Sequence, residues 1–355
     1  MSDMPTLWFC LVAAMIVGYV ILDGFDLGAG AVHFFAGKTR EERRAILGTI
    51  GPVWDGNEVW LIAAGGTLYF AFPALYATAF SGFYLPLMLV LWLLILRGLA
   101  IEFRNHIDSP VWTPFWDVIF AASSSLLAVV LGAALGNVMR GVPIDSEGRF
   151  FEPLWTDFKP GTGILDWYTV MVGLCSLAAL TMHGGLWVAL KTPEPVAGRA
   201  RAIVARVWWW VLGLTGLITL FTMRLQPQVP ANLARWPWGT LLPLLALAGL
   251  MGVPWFIARR ADARAFLAST AYLTGMLASA AFGLYPYVLP ASTVAERGLT
   301  VTNAAAGESG LRIGLVWWTI GMVLAVIYQV VVYRHFRGRV GIVGERGMEM
   351  GRETG

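Results

Sequence analysis

Four acids lie where hydrocarbon should exclude them. Asp23 and Asp26 interrupt the apolar run MIVGYVILDGFDLGAGAVHFF, and Asp55 and Glu58 open the next one, GPVWDGNEVWLIAAGG. An ionised side chain at a bilayer centre costs about 2.5–3.5 kcal/mol on insertion scales, so such residues face the protein interior and mark proton, ion or substrate paths. Each pair is spaced three apart, which puts both acids of a pair on one helix face. Gly24 and Gly28 form a small-xxx-small pair beside Asp23 and Asp26, and they let a second backbone approach closely. The chemistry this suits is the holding and passing of protons. The competing reading for Asp23 and Asp26 is an early helix end with both acids in solvent, and the apolar continuation AGAVHFF argues against it. For Asp55 and Glu58 two readings stay open: proton entry, or a capping box in which Asp55 is the N-cap and Glu58 closes it. Asn57 between them both donates and accepts hydrogen bonds, as a relay of water requires. Trp54 precedes them. Arg97, Glu102 and Arg104 cluster near one end of a later segment, where they either balance the acids or anchor at the interface by snorkelling.

The elements that must hold these residues are membrane spans. The chain has 355 residues, 57% hydrophobic and 13% charged, against about 25% charged in soluble domains. It reads as an all-α integral membrane protein. About 20 apolar residues span a bilayer. Nine segments qualify, at 7–35, 52–72, 76–102, 115–138, 164–190, 203–223, 238–258, 265–289 and 311–335. They make one polytopic domain over 1–340, followed by a Gly-rich charged tail at 341–355 that reads as disordered. Of the 25 Lys and Arg residues, seven fall on the N-terminal side of a nine-span topology and 18 on the other. The positive-inside rule then puts the N-terminus outside and the C-terminus in the cytoplasm. The first segment is too long for a signal-peptide core, and it reads as a retained span.

Other chemistries find little support. The net charge of +3 is small and its basic residues sit between apolar runs, which argues against nucleic acid. Cys10 and Cys175 are too few for a disulfide framework or a metal cluster. Of His33, His106, His183 and His335, only His183 is clearly inside an apolar segment, and no pair is spaced to sandwich a haem. The chain therefore reads as ligating no haem or metal itself.

The blocks LDGFDLGAG, ERRAILGTIGPVWDGNEVWLIAAGG, FPALYATAFSGFYLPLMLVLWLLILRGLAIEFR, GNVMRGVP and GILDWYTV closely resemble subunit II of cytochrome bd-type ubiquinol oxidases. The cyanide-insensitive branch of that family is similar too. The resemblance is specific over residues 6–195 and weaker through YPYVLPAS to the last span. It implies two four-helix bundles plus a peripheral helix, in the bacterial cytoplasmic membrane. It implies a haem-bearing subunit I as partner, a small single-helix accessory subunit, and ubiquinol or another quinol as reductant of oxygen. Two b-type haems and one d-type haem are then expected in subunit I, and subunit II can hold a structural quinone. Asp23, Asp26, Trp54, Asp55, Asn57 and Glu58 match the family blocks as proton-path residues, with Arg97 and Arg104 as supporting charges. Two other readings remain: a stand-alone proton-coupled secondary transporter, for which acids in Gly-interrupted helices are equally expected, and a purely structural subunit with inert acids.

Overall fold

Proline and glycine decide where this apolar chain stops being helical. The computed structural model describes residues 4–151, 153 and 163–341. Its helices are α1 (Met4–Ala36), α2 (Arg40–Ile50), α3 (Trp54–Ala71), α4 (Pro73–Gly82), α5 (Tyr84–Phe103), α6 (Trp112–Arg140), α7 (Trp167–Lys191), α8 (Val196–Leu225), α9 (Gln228–Arg235), α10 (Leu241–Ala258), α11 (Asp262–Leu284) and α12 (Glu308–His335). The segment expected at 76–102 divides into α4 and α5 at Phe83. Pro86 cannot donate to the carbonyl of Gly82, and its ring crowds that carbonyl, so the two helices meet at a break. The segment expected at 265–289 ends at Leu284, because Pro286 forces Tyr285 out of the helical region. Residues 287–289 pair instead with 299–300 as a short antiparallel ribbon, β1 and β2.

Among the described residues, eight helices are long and apolar enough to cross a membrane: α1, α5, α6, α7, α8, α10 with its preceding turn, α11 and α12. The eighteen-residue α3 carries Asp55 and Glu58 and falls outside that set. Helix α2 is an addition to the expected elements. Thr39 caps it and Glu42 completes a capping box by accepting from the backbone N–H of Thr39. Burial pushes the Glu42 carboxyl up, but Arg199 and the N–H groups of Lys38 and Thr39 outweigh that and hold it below the usual range. The expected tail lies outside the described residues apart from Gly341, and so do 154–162 of the long loop before α7.

Helix α1 is the axis. It packs on α3, α6, α7, α8 and α11. Its tightest contact is with α7, where a Cβ on Gly28 would lie 1.9 Å from the carbonyl oxygen of Leu180 and 2.7 Å from the backbone nitrogen of Gly184. No side chain fits between these backbones. Of the small pair read in the sequence, Gly28 faces another glycine, as close membrane helices require. On the flank toward α6, a Cβ on Gly30 would meet Ser124 at 2.4 Å. One apolar core fills the space among α1, α6, α7, α8, α10 and α11, around Leu27, Leu127, Leu186 and Tyr272. A second lies at the end where α1 meets α2, around Ile46, Ile50 and Phe120. A third lies at the opposite end, where Trp8, Phe72 and Leu289 meet.

Gly28→Val is expected to lower stability by about 1–3 kcal/mol or more through overpacking. Gly213→Ala, where a Cβ meets nothing within 4 Å, should be neutral. Thermal unfolding of the two purified variants compares them, and equal midpoints would contradict the close packing of α1 on α7.

Candidate functional site

Two polar networks that start on α1 cross the apolar interior. The first is built on Arg97 of α5, which is fully buried. Its Nη1 donates to Asp23 Oδ1 at 2.7 Å and its Nη2 to Glu58 Oε2 at 2.8 Å. One guanidinium thereby joins α5 to α1 and α3. A planar fork is suited to two carboxylates at once in a way that a lysine is not. Asp23 has no solvent exposure, whereas the Glu58 side chain keeps 20%. Glu58 is thus the surface end of the triad.

One helix turn from Asp23, Asp26 Oδ2 accepts from Asn57 Nδ2 at 2.8 Å. The other side of that amide is occupied as well. Asn57 Oδ1 accepts from Gln329 Nε2 and from the Tyr333 hydroxyl, both at 2.8 Å. These partners fix the amide's orientation and bring α12 to the site. Asp23 Oδ2, Asp26 Oδ1 and Arg97 Nε are buried with no hydrogen-bond partner among the described residues. Buried polar atoms are nearly always satisfied, so unsatisfied carboxylate oxygens mark capacity for water or a proton.

The second network lies nearer the C-terminal end of α1. His33 Nε2 bonds Asp117 Oδ1 of α6 at 2.7 Å, and Arg104 Nε donates to the same oxygen at 2.5 Å. Arg104 Nη2 and Arg43 Nη1 both reach Asp117 Oδ2 at 3.2 Å. Arg40 donates to Thr113 one turn earlier on α6. This cluster ties α1, α2, α5 and α6 together around one buried carboxylate.

Of the sequence-derived residues, Asp23, Asp26, Asn57, Glu58 and Arg97 come together. Trp54 packs on α5, its ring 3.3 Å from where a Cβ on Gly98 would lie. Gly24 faces Leu180 of α7, 2.9 Å from where its Cβ would be. Asp55 is exposed, and it does not cap α3: the N-cap is Val53, with no side-chain cap bond. The capping-box alternative therefore fails, since Glu58 is engaged with Arg97 instead. Arg97 balances acid rather than snorkelling. Arg104 belongs to the second network and is also buried rather than snorkelling. Glu102 is exposed and joins neither.

Asp117, Gln329 and Tyr333 are not among the sequence-derived residues, and His33 is there only as a histidine set aside as a haem ligand. Asp117 had the same signal as Asp23, an acid inside an apolar segment. Tyr333 and Gln329 had none, because only tertiary packing brings the last helix to Asn57.

The match of residues 4–336 to the family model described as cytochrome bd terminal oxidase subunit II decides the family. The chain belongs to the subunit II family of cytochrome bd terminal oxidases. It is similar to a probable cytochrome oxidase subunit 2 of Haemophilus influenzae, 32% identical with 94% of each chain covered. It is also similar to cytochrome bd ubiquinol oxidase subunit 2 of Bacillus subtilis, 31% identical over 96% of this chain and 98% of the relative. The fold resembles a chain in the structure of bd oxidase from Geobacillus thermodenitrificans, with a TM-score of 0.75, 18% identity, and coverage of 95% of this chain and 99% of that one. This subunit II is therefore a membrane component of a respiratory oxidoreductase and partners a subunit I, which sets aside the stand-alone transporter.

Membership in the family brings haem to the complex. In this subunit II the buried histidines are engaged elsewhere. His183 bonds Ser269 Oγ at 2.6 Å and the carbonyl of Ile21 at 3.0 Å, using both ring nitrogens. His33 Nε2 is held by Asp117, and its Nδ1 is buried. Among the described residues no group of three or more His, Cys, Asp or Glu is arranged to hold a metal.

Arg97→Met strands two carboxylates, and removing one partner of a buried pair costs about 3–5 kcal/mol. Yield and thermal midpoint should fall sharply, with Arg97→Lys intermediate. A Met variant as stable as the parent would contradict the buried ion triad.

Proposed function

We propose that this subunit supplies part of a proton path from the cytoplasm to the site in subunit I where oxygen is reduced with electrons from quinol. The observation that carries this reading is the buried acid network of Asp23, Asp26, Asn57 and Glu58 around Arg97. Reducing oxygen to water consumes protons, and hydrocarbon does not conduct them. Carboxylates with unsatisfied oxygens at a helix interface can. Asp55 and Glu58, one turn apart on α3, offer an exposed and then a half-buried acid, and Asp23 and Asp26 lie deeper. Arg97 keeps the middle of the route from accumulating negative charge. Asn57 titrates nothing, so its part is to orient Asp26 and hydrogen-bonded water.

In this reading α3 is the ninth crossing. Helices α1, α3, α5 and α6 form one four-helix bundle, α7, α8, α10 and α11 the other, and α12 is peripheral. The N-terminus is outside and the C-terminus is in the bacterial cytoplasm, as the basic-residue asymmetry supports. The haems, two of b type and one of d type, belong to subunit I, and a small single-helix subunit completes the complex.

A cavity of about 400 Å³, lined largely by apolar side chains including Leu27, Leu131, Leu180 and Leu273 together with Tyr19 and Tyr272, supports a structural quinone within this subunit. Ligand sites typically combine apolar walls with a few polar groups.

Asp23→Asn and Asp26→Asn in the assembled complex should slow quinol-driven oxygen uptake about tenfold or more, a modest share of what a positioned proton donor contributes. Asp55→Asn should act in the same direction and more weakly, and the haem spectrum should be retained in all three. Normal turnover in assembled variants would defeat the proton path, whereas loss of haem would indicate a structural role. For the cavity, solvent extraction of delipidated complex should recover about one quinone per complex, and recovery of none would refute its occupant.

A further inference from the structure

At the end of the molecule that carries α2, a second cavity of about 310 Å³ opens among α2, α7 and α12. Lys191, His335, Arg337 and Arg339 line it, with Thr49 and Tyr333 beside them and no carboxylate. Among the described residues none of the four basic side chains has an acidic partner. Basic residues after a last span are ordinary topology signals, but three features here exceed that role.

The chain turns back to build the wall. Gly338 has a φ of +122°, a conformation open to glycine. Beyond it the Val340 N–H donates to the Lys191 carbonyl at 2.8 Å, while Lys191 Nζ donates to the Phe336 carbonyl at 2.8 Å. The two contacts hold 336–340 against the end of α7. The floor is fixed too: Lys191 Nζ sits 5.0 Å over the Trp187 ring, whose Nε1 donates to the Thr49 carbonyl at 3.1 Å. Depth is the third feature. Helix α7 ends at Lys191 and α12 at His335, so the cavity lies where spans meet the headgroup layer.

We propose that this cavity binds the phosphate of an anionic phospholipid headgroup. Arg337, Arg339 and Lys191 offer charge-assisted donors to one phosphate, and basic pockets between spans at the interface take anionic headgroups. The acyl chains run along the exposed apolar surface of α12, which includes Ile327 and Val331. Free phosphate meets the same charges but gains nothing from that surface. The assignment stands independently of the proton path.

The test is native mass spectrometry of the two-subunit oxidase in mild detergent, titrated with phosphatidylglycerol, with phosphatidylcholine, and with inorganic phosphate as competitor. Each basic residue near an anionic surface is worth a factor of about five. One phosphatidylglycerol should therefore bind about 25-fold more weakly to R337Q/R339Q than to the parent, while R337K/R339K stays near the parent. Phosphatidylcholine binding should not change. The haem spectrum reports assembly, and if R337Q/R339Q fails to assemble, Lys191→Gln carries the same comparison. Unchanged phosphatidylglycerol affinity in the neutralised variants overturns the proposal, as does an equal loss for phosphatidylcholine. Inorganic phosphate that binds alone and displaces the lipid assigns the site to a free anion and overturns the lipid.

Discussion

A guanidinium without solvent exposure must be neutralised where it stands, and the arrangement around Arg97 follows from that constraint. The charge cannot be discharged by deprotonation, because arginine stays protonated in proteins. It cannot reach water, because its side chain is fully buried. Asp23 and Glu58 must therefore come to it, and they bring α1 and α3 into contact with α5. Once Asp23 is fixed, Asp26 faces α3 one turn later, and Asn57 is the group that meets it. The network is a consequence of placing one cation in the bundle. Replacing such a triad by hydrophobic residues is often neutral or stabilising for folding alone, whereas removing one partner is costly.

Asp117 repeats the logic with the signs exchanged. One buried carboxylate collects Arg104, Arg43 and His33 from three other helices. Between the two networks, α1 contributes Asp23, Asp26 and His33, while its Gly24 and Gly28 press against α7 and its Gly30 against α6. Toward α7 this helix presents glycine, toward α3 and α5 it presents acid, and toward α6 it presents both Gly30 and His33.

Much of this was legible in the residues because lipid is an unforgiving solvent. Acids in apolar runs announced the first network, and the glycines beside them announced the close helix contact. Span positions followed from hydropathy, while their ends followed from prolines whose effect is local. The break at Phe83 and the end at Leu284 were missed although Pro86 and Pro286 were in view. Helix α2 was missed despite the Thr39–Glu42 capping signal, because an eleven-residue amphipathic helix is silent in a search for spans. Asp117 was passed over although the rule that selected Asp23 applied to it equally. Tyr333 and Gln329 were out of reach. Nothing local ties residues more than 270 positions downstream to Asn57. The exposure of Asp55 and Glu102 was equally hidden, since helical phase relative to the neighbours is a tertiary property.

Helix α12 has no buried share in its most apolar window, yet two of its side chains fix the Asn57 amide. Its 28 residues extend about 42 Å at 1.5 Å per residue, against a hydrocarbon core of about 30 Å. A span longer than the hydrocarbon core adapts to its bilayer by tilting. Tilt displaces Gln329 and Tyr333 relative to α3, and with them the dipole that faces Asp26. The thickness of the membrane is thereby mechanically linked to an acid without solvent exposure.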